Sequence, residues 1–553
     1  GPYGEIKAFN IIQQTRREFE DLIPKISHFD GDQGALVYSM GCNAFKLAME
    51  KHGKTMEEAE KILHNALAAS TGKSGISLKR KTKPVSEKPE VNKIKAIDAF
   101  ARHLVNTRFE DLPPEAVASA KQEVLDSLAT ALGGSTKAGV KELVEMVKEW
   151  GGAEQSTVIG YGVKVPAPSA AQVNGTMIHA LDYDDGHQVA LVHIGCVAVS
   201  TAFAAAERMV SLGKKVSGKE LITALALGAD LDARMSLASK PGGSVIDSGW
   251  HATTLFGFLT AAAIAGRIFR LNEDQMINAI GLAYHQAGGA GSGVSDGALA
   301  KRMGPGMAAR AGIISAQMAE RGITGDRDPL EGKTGLYKQY MGGDYDPQRL
   351  IKDLGKVFEG VNIGDKPYPC CGLTHAAIDG VLALQARNKI NPAKIKEVTI
   401  TGAQSTYDLS QPPEVKRKPR TVIDAQFSVP YVVAAALLYG KVTVDDFTPE
   451  AIKRPAVLKM AQKITTVLDT SFNRHGVGPS SVKIVMADGT VYNEHVEYCL
   501  GSVERPMSLD DIARKFRECA PSSVKTLKKA AIEKVIKLAE RLEELEDEGR
   551  VRG

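Results

Sequence analysis

Residues 94–340 constrain the fold more than any other part of the chain. They form a long succession of apolar segments with helical spacing, many rich in Ala and Gly. Examples run over 114–132, 169–181, 196–212, 219–239, 252–269, 273–288 and 307–321. Small residues let helices approach closely, so the pattern predicts a tightly packed α body. Gly, Ser and Thr at the junctions supply the caps such helices need. Strand signals are nearly absent there, apart from Thr157–Tyr161.

The pattern changes from about residue 360. Glu397-Val-Thr-Ile-Thr401 and Val482–Gly489 are rich in β-branched residues, and Asp488-Gly489 suits a hairpin turn. Helical segments over 375–387, 431–438 and 449–459 separate them, which predicts an α+β domain. Beyond Ser508 charged helix returns and closes with an amphipathic segment over 527–546. The fold expected is mainly α: a large all-helical domain (94–360 and 505–553) with a smaller α+β lid domain (361–504). A short N-terminal helical extension (1–70) precedes it, with helices over 5–22 and 56–69 and an apolar segment over 35–49. A basic linker (71–93) follows, kept extended by Lys73, Lys79, Arg80, Lys81, Lys83 and Lys88 with Pro84 and Pro89.

With 553 residues the chain is too long for one core. A net charge of +4 gives no case for nucleic acid as a partner. No run of 18 apolar residues predicts a membrane span. The six cysteines show no CxxC spacing, so a reducing, cytoplasmic location is expected.

One stretch stands out chemically. His179-Ala-Leu-Asp-Tyr-Asp-Asp-Gly-His187, continued to His193, packs three carboxylates and three histidines into fifteen residues. It lies between two apolar helices. Asp182, Asp184 and Asp185 either face solvent at a helix end or line a polar cavity, because isolated buried charge is too costly. Helical spacing would put Asp182 beside His179, and a carboxylate there would fix the imidazole tautomer. His251 opens an apolar helix, where the positive dipole end favours neutral imidazole. The Gly-rich run 288–297 feeds Lys301-Arg302, and backbone amides with cations suit an anion. Gly293–Gly297 matches GxSxG but lacks a preceding strand, so no nucleophile elbow is expected. Arg327–Thr334 lacks the first glycine of a phosphate loop. Pro367 and Pro369 make an extended strap able to hold Lys366. No ligand set with metal spacing is found: Asp184-Asp185 lacks a second acidic motif, and Cys370-Cys371 with His375 lacks a second cysteine pair.

Taken in order, His179-Ala-Leu-Asp-Tyr-Asp-Asp, His251, Lys301-Arg-Met-x-x-Gly and Lys366-Pro-Tyr-Pro-Cys-Cys…Thr-His375 resemble the MmgE/PrpD family. Ala425-Gln-Phe-Ser-Val-Pro-Tyr431, Asp488-Gly489 and Pro506-Met-Ser continue the resemblance, which covers roughly 94–545. It implies a homodimer with a pocket between the two domains, a small polycarboxylate substrate, and neither metal nor other cofactor. The catalytic positions it implies are Asp182, His193, His251, Lys301, Lys366 and Tyr431. Lys301, Arg302, Lys366, His375 and His187 would bind substrate. The implied activity is a lyase reaction of the 2-methylcitrate or citrate dehydration type, begun by removing a proton next to a carboxylate. Decarboxylation of a cis-aconitate-like acid and epimerisation of an iminodisuccinate-like one are alternatives, as is a non-catalytic binding protein with a degenerate pocket. Two departures bear on the substrate. His193-Ile-Gly195 stands where a His-Pro-Gly-like turn is usual, leaving His187 as a rival for His193. Gly304 replaces a histidine common after the first lysine.

Overall fold

The computed structural model describes residues 94–239, 248–474 and 477–545. They belong to one compact unit, Lys93–Gly553. The helices expected over 5–22 and 56–69, the apolar segment over 35–49 and the basic linker lie outside the described residues.

The long helices form where apolar runs meet good start signals. They are α1 Ala96–Asn106, α2 Pro114–Gly134, α3 Val140–Trp150, α4 Ala167–His179, α5 Gly195–Ser211, α6 Gly218–Ala238, α7 Ala252–Ile268, α8 Glu273–Tyr284 and α9 Ala300–Glu320. Pro114 occupies the first turn of α2, where its missing N–H costs nothing. Ser217 and Glu220 make a reciprocal capping box on α6, as Asn272 and Gln275 do on α8. α7 is buried on nearly every face, so it runs through the body as a central helix rather than lying on it. Both α4 and α7 pack along α9. Their contact is close enough to demand glycine: a Cβ on Gly306 would lie 2.2 Å from the Gln172 carbonyl oxygen, and one on Gly312 would lie 2.3 Å from Ala261 Cβ.

The helical body is not free of strand. β1 Ser156–Val158 and β2 Val163–Val165 form a small antiparallel hairpin, with Thr157 opposite Lys164. The strand expected over Thr157–Tyr161 therefore ends early, because the chain turns through Gly160 and Gly162 at positive φ. A second pair, β3 Gly186–His187 and β4 Ile363–Gly364, ties the acidic stretch to the segment ahead of the Lys366 strap.

A separate apolar core lies under a four-stranded sheet of order β6-β5-β7-β8. Its strands are β5 Ile395–Gly402, β6 Ile464–Leu468, β7 Ser480–Met486 and β8 Val491–Val496. β6 runs parallel to β5, and the other pairs are antiparallel. Asp488-Gly489 makes the expected turn between β7 and β8, with Gly489 at φ +87° and Asp488 accepting from the Thr490 amide. α10 His375–Arg387 and α11 Val429–Tyr439 complete this core. The helix expected over 449–459 is divided into a short turn at Ala451–Lys453 and a helix at Pro455–Ala461. Pro455 keeps Arg454 out of the α region (ψ 119°), which breaks the run.

The chain then returns to the helical body. α12 Leu509–Cys519 and α13 Lys529–Glu540 pack with Leu125, Ala129 and Leu132 of α2 and with Leu181 and Tyr183 of the acidic stretch. The closing helix ends at Glu540, short of the expected 546. Among the described residues no helix is long and apolar enough to cross a membrane. The described cysteines, Cys196, Cys370, Cys371, Cys499 and Cys519, are buried free thiols.

Candidate active site

Three segments distant in sequence converge at the C-terminal end of α4. That helix stops at His179, and Asp182 turns the chain in a left-handed conformation, φ +52°, which non-glycine residues seldom adopt. Asp185 then caps α5: its two carboxylate oxygens accept from the Ile194 and Gly195 amides, each at 2.9 Å. Lys301 enters from the first turn of α9, and Lys366 from the strap beyond β4.

Asp182 is the anion these two cations share. Lys301 Nζ lies 2.6 Å from Asp182 Oδ1, and Lys366 Nζ lies 3.4 Å from Oδ2. Lys366 Nζ also donates to the Asp182 carbonyl at 2.9 Å. Phe427 closes one side, its ring centroid 5.3 Å from Lys301 Nζ. Burial alone would raise the Asp182 carboxyl, but the two lysines outweigh it and hold the group well below the carboxylate range. Burial would lower Lys366, and Asp182 with Asp184 outweighs it, so the ammonium form is favoured.

Three imidazoles pack beside this ion cluster. The His179 ring lies 5.0 Å from that of His193 and 5.6 Å from that of His251. Asp184 Oδ2 is 2.7 Å from His179 Nδ1 and 3.8 Å from His193 Nδ1. The ionised carboxylate must accept, so His179 carries its proton on Nδ1 and presents a bare Nε2. That Nε2 is buried without a protein partner. His193 Nδ1 donates to the Asp185 carbonyl at 2.6 Å. His251 is the N-cap residue of α7, with Nδ1 2.7 Å from Thr254 Oγ1. All three imidazoles are held neutral. Burial is the largest cause, and the neighbouring lysines add to it. His193 is pulled down to about 3, His251 well below the histidine range and His179 below it.

The Gly-rich run does not offer its amides to an anion at every point. Gly291 donates to the Gly249 carbonyl, and the Gly289 carbonyl accepts from the His251 amide. The run thus holds the entry to α7 and fixes His251. Gly304 is explained here as well. A Cβ at that position would lie 2.3 Å from Thr254 Oγ1, the atom against His251. A histidine at 304 has no room while Thr254 holds His251.

The structure thus brings together Asp182, His193, His251, Lys301 and Lys366. The other expected residues have polar groups engaged by the surrounding backbone. Tyr431 is buried under the sheet, where its hydroxyl donates to the Asp446 carbonyl at 2.5 Å and its ring faces Phe447. The hydroxyl expected as a pocket acid is thus committed within the smaller core. Arg302 is buried and donates to the Ala138 carbonyl; burial lowers it to about 10, against the opposing charge of Asp182. His187 sits in the β3–β4 pair, and its Nδ1 accepts from the Ala190 amide. Of the two rivals, it is His193 that packs on His179. His375 opens α10 with Nε2 3.1 Å from the Cys370 carbonyl and its ring against Tyr368.

Two members of the cluster escaped the sequence reading. Helical spacing put Asp182 beside His179, and Asp184 was not among the expected catalytic positions. Helical i,i+3 geometry holds only within a helix, and α4 has ended by Asp182, so the turn delivers Asp184 instead. His179, Asp184 and His193 place donor atoms within 4.8 Å of one another, a spacing that invites a metal reading. The chemistry of the set opposes it. Both Nδ1 atoms are engaged in hydrogen bonds, and two buried ammonium groups repel a further cation.

Comparison with known proteins identifies the family. Residues 98–348 match the MmgE/PrpD N-terminal domain and residues 368–541 the MmgE/PrpD C-terminal domain. The chain is 29% identical to a cis-aconitate decarboxylase of Aspergillus terreus over 80% of its length and 92% of that protein. It is 26% identical to cis-aconitate decarboxylase of Homo sapiens over 81% of its length and 92% of that protein. It is 24% identical to 2-methylcitrate dehydratase of Cupriavidus necator over 74% of its length and 87% of that protein. With both family domains matched in order across most of the described residues, this chain belongs to the MmgE/PrpD family.

Proposed function

We propose that the protein is a lyase acting on a small tricarboxylic acid through a carbanion stabilised next to a carboxylate. The observation that carries this reading is the convergence of two buried ammonium groups, Lys301 and Lys366, on one buried carboxylate beside three neutral imidazoles. Negative charge developing on a substrate carboxylate as an enediolate needs fixed positive charge in a water-poor cleft, and the lysine pair supplies it. The same cations suit the substrate's other carboxylates, which would compete with Asp182 for them.

Decarboxylation of a cis-aconitate-like acid is the first reading, supported by the names and higher identity of the relatives from Aspergillus terreus and Homo sapiens. Loss of CO₂ leaves an electron pair that delocalises into the neighbouring carboxylate. A general acid then delivers a proton to carbon; His193 or His251, once protonated, is suited to that step. Dehydration of a 2-methylcitrate-like acid is the second reading, and a specific observation favours it. Imidazoles held neutral carry a free lone pair at pH 7, which can accept a proton removed next to a carboxylate. The two reactions share their electrostatic core and differ in which bond to carbon breaks.

The test is incubation with cis-aconitate, 2-methylcitrate, citrate and iminodisuccinate, followed by ultraviolet absorbance and by NMR in deuterated water. Turnover of a tricarboxylate is expected. CO₂ release with deuterium entering the product carbon marks decarboxylation, and appearance of an alkene with loss of water marks dehydration. Neither turnover nor deuterium exchange with any of the four would overturn the reading in favour of a non-catalytic binding protein.

A further inference from the structure

Lys515 occupies a core position on an otherwise charged helix. The buried side chains of α12 are Ile512, Ala513, Lys515, Phe516 and Cys519, so the helix carries an ammonium group inward with its apolar stripe. The residue is 2% exposed. An ammonium that deep must be fully partnered, because burying it otherwise is too costly. It makes two hydrogen bonds to backbone carbonyls and one ion pair. Nζ lies 2.5 Å from Asp126 Oδ1 on α2, 2.5 Å from the Tyr183 carbonyl and 3.1 Å from the Lys366 carbonyl. It also lies 3.9 Å from the centroid of the Tyr183 ring, whose hydroxyl donates to the Pro367 carbonyl.

Two of those partners belong to the backbone that carries the site. Tyr183 directly follows Asp182, and Lys366 is itself one of the two site cations. The loop and the strap come from segments 184 residues apart. One ammonium from near the end of the chain joins them. Gln426 joins the same two segments again, its Nε2 donating to the Leu181 and Pro369 carbonyls. The junction thus has a brace on either side of the Asp182–Lys366 pair. Such a junction needs bracing: Asp182 is held in a left-handed conformation, and Lys366 reaches Asp182 Oδ2 only at 3.4 Å.

We infer that Lys515 is a positioning residue, locking the Asp182 loop to the Lys366 strap so that the site ammonium stands where substrate charge develops. It touches none of the three imidazoles and acts through Lys366. The kinetic arm of this inference rests on the lyase reading above.

A simpler role, neutralising Asp126, is separable by experiment. Lys515→Met alone strands a buried carboxylate, so its loss of folding is uninformative. The double variant Asp126→Asn/Lys515→Met removes both charges together, an exchange that proteins often tolerate. It is expected to melt close to the wild type, with kcat lower by about 100-fold, as for a displacement of about 1 Å in a catalytic group, and KM changed far less. Lys515→Arg, which keeps a cation with several donors, is expected to recover part of kcat. Hydrogen exchange read by mass spectrometry needs no turnover. Peptides spanning 181–186 and 364–370 are expected to exchange faster in the double variant, while those of the sheet over 480–496 do not change. Wild-type kcat together with wild-type exchange in the double variant would overturn the inference. If the wild type itself turns over none of the four acids, the lyase reading falls, and exchange alone decides the brace: faster exchange in the two segments supports it, and unchanged exchange overturns it.

Discussion

Replacing Asp182 by Asn removes one buried anion and strands two buried cations. The side chains of Lys301 and Lys366 are only 7% and 8% exposed, so water relieves little of the cost. At an effective dielectric near 20, unit charges at these separations attract by roughly 6 and 5 kcal/mol before desolvation is counted. Breaking a buried pair has a net cost of about 3–5 kcal/mol. A ceiling comes from the lysine itself, which can shed its proton at pH 7 for about 4.6 kcal/mol, given an ordinary value of 10.4. Both routes lead to about 4 kcal/mol. For a folded unit of about 460 residues, the unfolding entropy converts this to about 4 °C in Tm. The pH dependence has a defined sign. In the wild type, Lys366 is raised despite burial, because Asp182 and Asp184 outweigh it. Its stabilisation is present below the unfolded value and is lost as pH rises through the folded one. In the variant, burial is left less opposed, the unfolded chain binds more protons than the folded one, and stability rises with pH. The deficit is therefore expected to shrink from pH 7 to pH 9 in calorimetric melts at constant salt. A variant that melts within 1 °C of the wild type at pH 7, or whose deficit widens with pH, would refute the charge-sharing argument.

The histidines give a second pH signature. Burial and the adjacent lysines hold His193 at about 3 and His251 well below its usual range, so kcat/KM for a substrate of this site is expected not to fall from pH 7 down to about 5. An acidic limb near 6.5 in the profile would count against neutral imidazoles set by burial. Tyr431→Phe is expected to keep kcat within a few-fold while losing about 1 kcal/mol of stability, since the Asp446 carbonyl loses its donor; a loss of kcat above 100-fold would return the hydroxyl to the chemistry. Asp232 is fully buried and raised by that burial to about 7. It keeps a proton that the unfolded chain gives up above pH 4, so its contribution to stability falls by up to about 4 kcal/mol between pH 4 and 7. Asp232→Asn should therefore melt above the wild type at pH 8 and close to it at pH 5, and equal differences at both would show that the group ionises freely.

How much of this was legible depended on whether the determining physics was local. Helix positions followed from periodicity and caps, and the Asp488-Gly489 turn from its own two residues. Lys301 and Lys366 stood out because Lys366 leads into a Pro-Tyr-Pro strap and Lys301 opens a helix, both local features. The pairing of His179 with Asp184 was not, because it depends on where α4 unwinds. The surroundings of Tyr431 were not legible for a related reason. Its motif stands beside Phe427, which does face Lys301, but one further turn of α11 carries the tyrosine into the apolar core under the sheet. β6 was missed because it is a five-residue edge strand whose parallel partner lies more than 60 residues earlier. Lys515 left a trace in the spacing of α12, where a lysine stands among Ile512, Phe516 and Cys519. Helical periodicity marks such a residue as buried, but cannot say that its partners are backbone carbonyls of two distant loops.

The charge balance of the site sets the condition any tricarboxylate must meet. Asp182 and Asp184 carry two negative charges, Lys301 and Lys366 two positive ones, and the three imidazoles none. An incoming trianion finds no net positive charge waiting. It gains the lysines only by competing with Asp182, and the excess negative charge then lies within reach of His193 and His251. Burial and the ammonium groups were what held those imidazoles neutral. A bound anion cancels the second cause and favours protonation. Binding should therefore take up protons, about one for each tricarboxylate, which would convert a site poised with neutral bases into one holding a general acid. Calorimetric titration with citrate at pH 7 in buffers of different ionisation enthalpy measures this directly. The observed heat should change in proportion to the buffer enthalpy, with a slope near one proton taken up. Binding heats independent of buffer would mean that the imidazoles remain neutral in the complex, leaving a general base as their one available role.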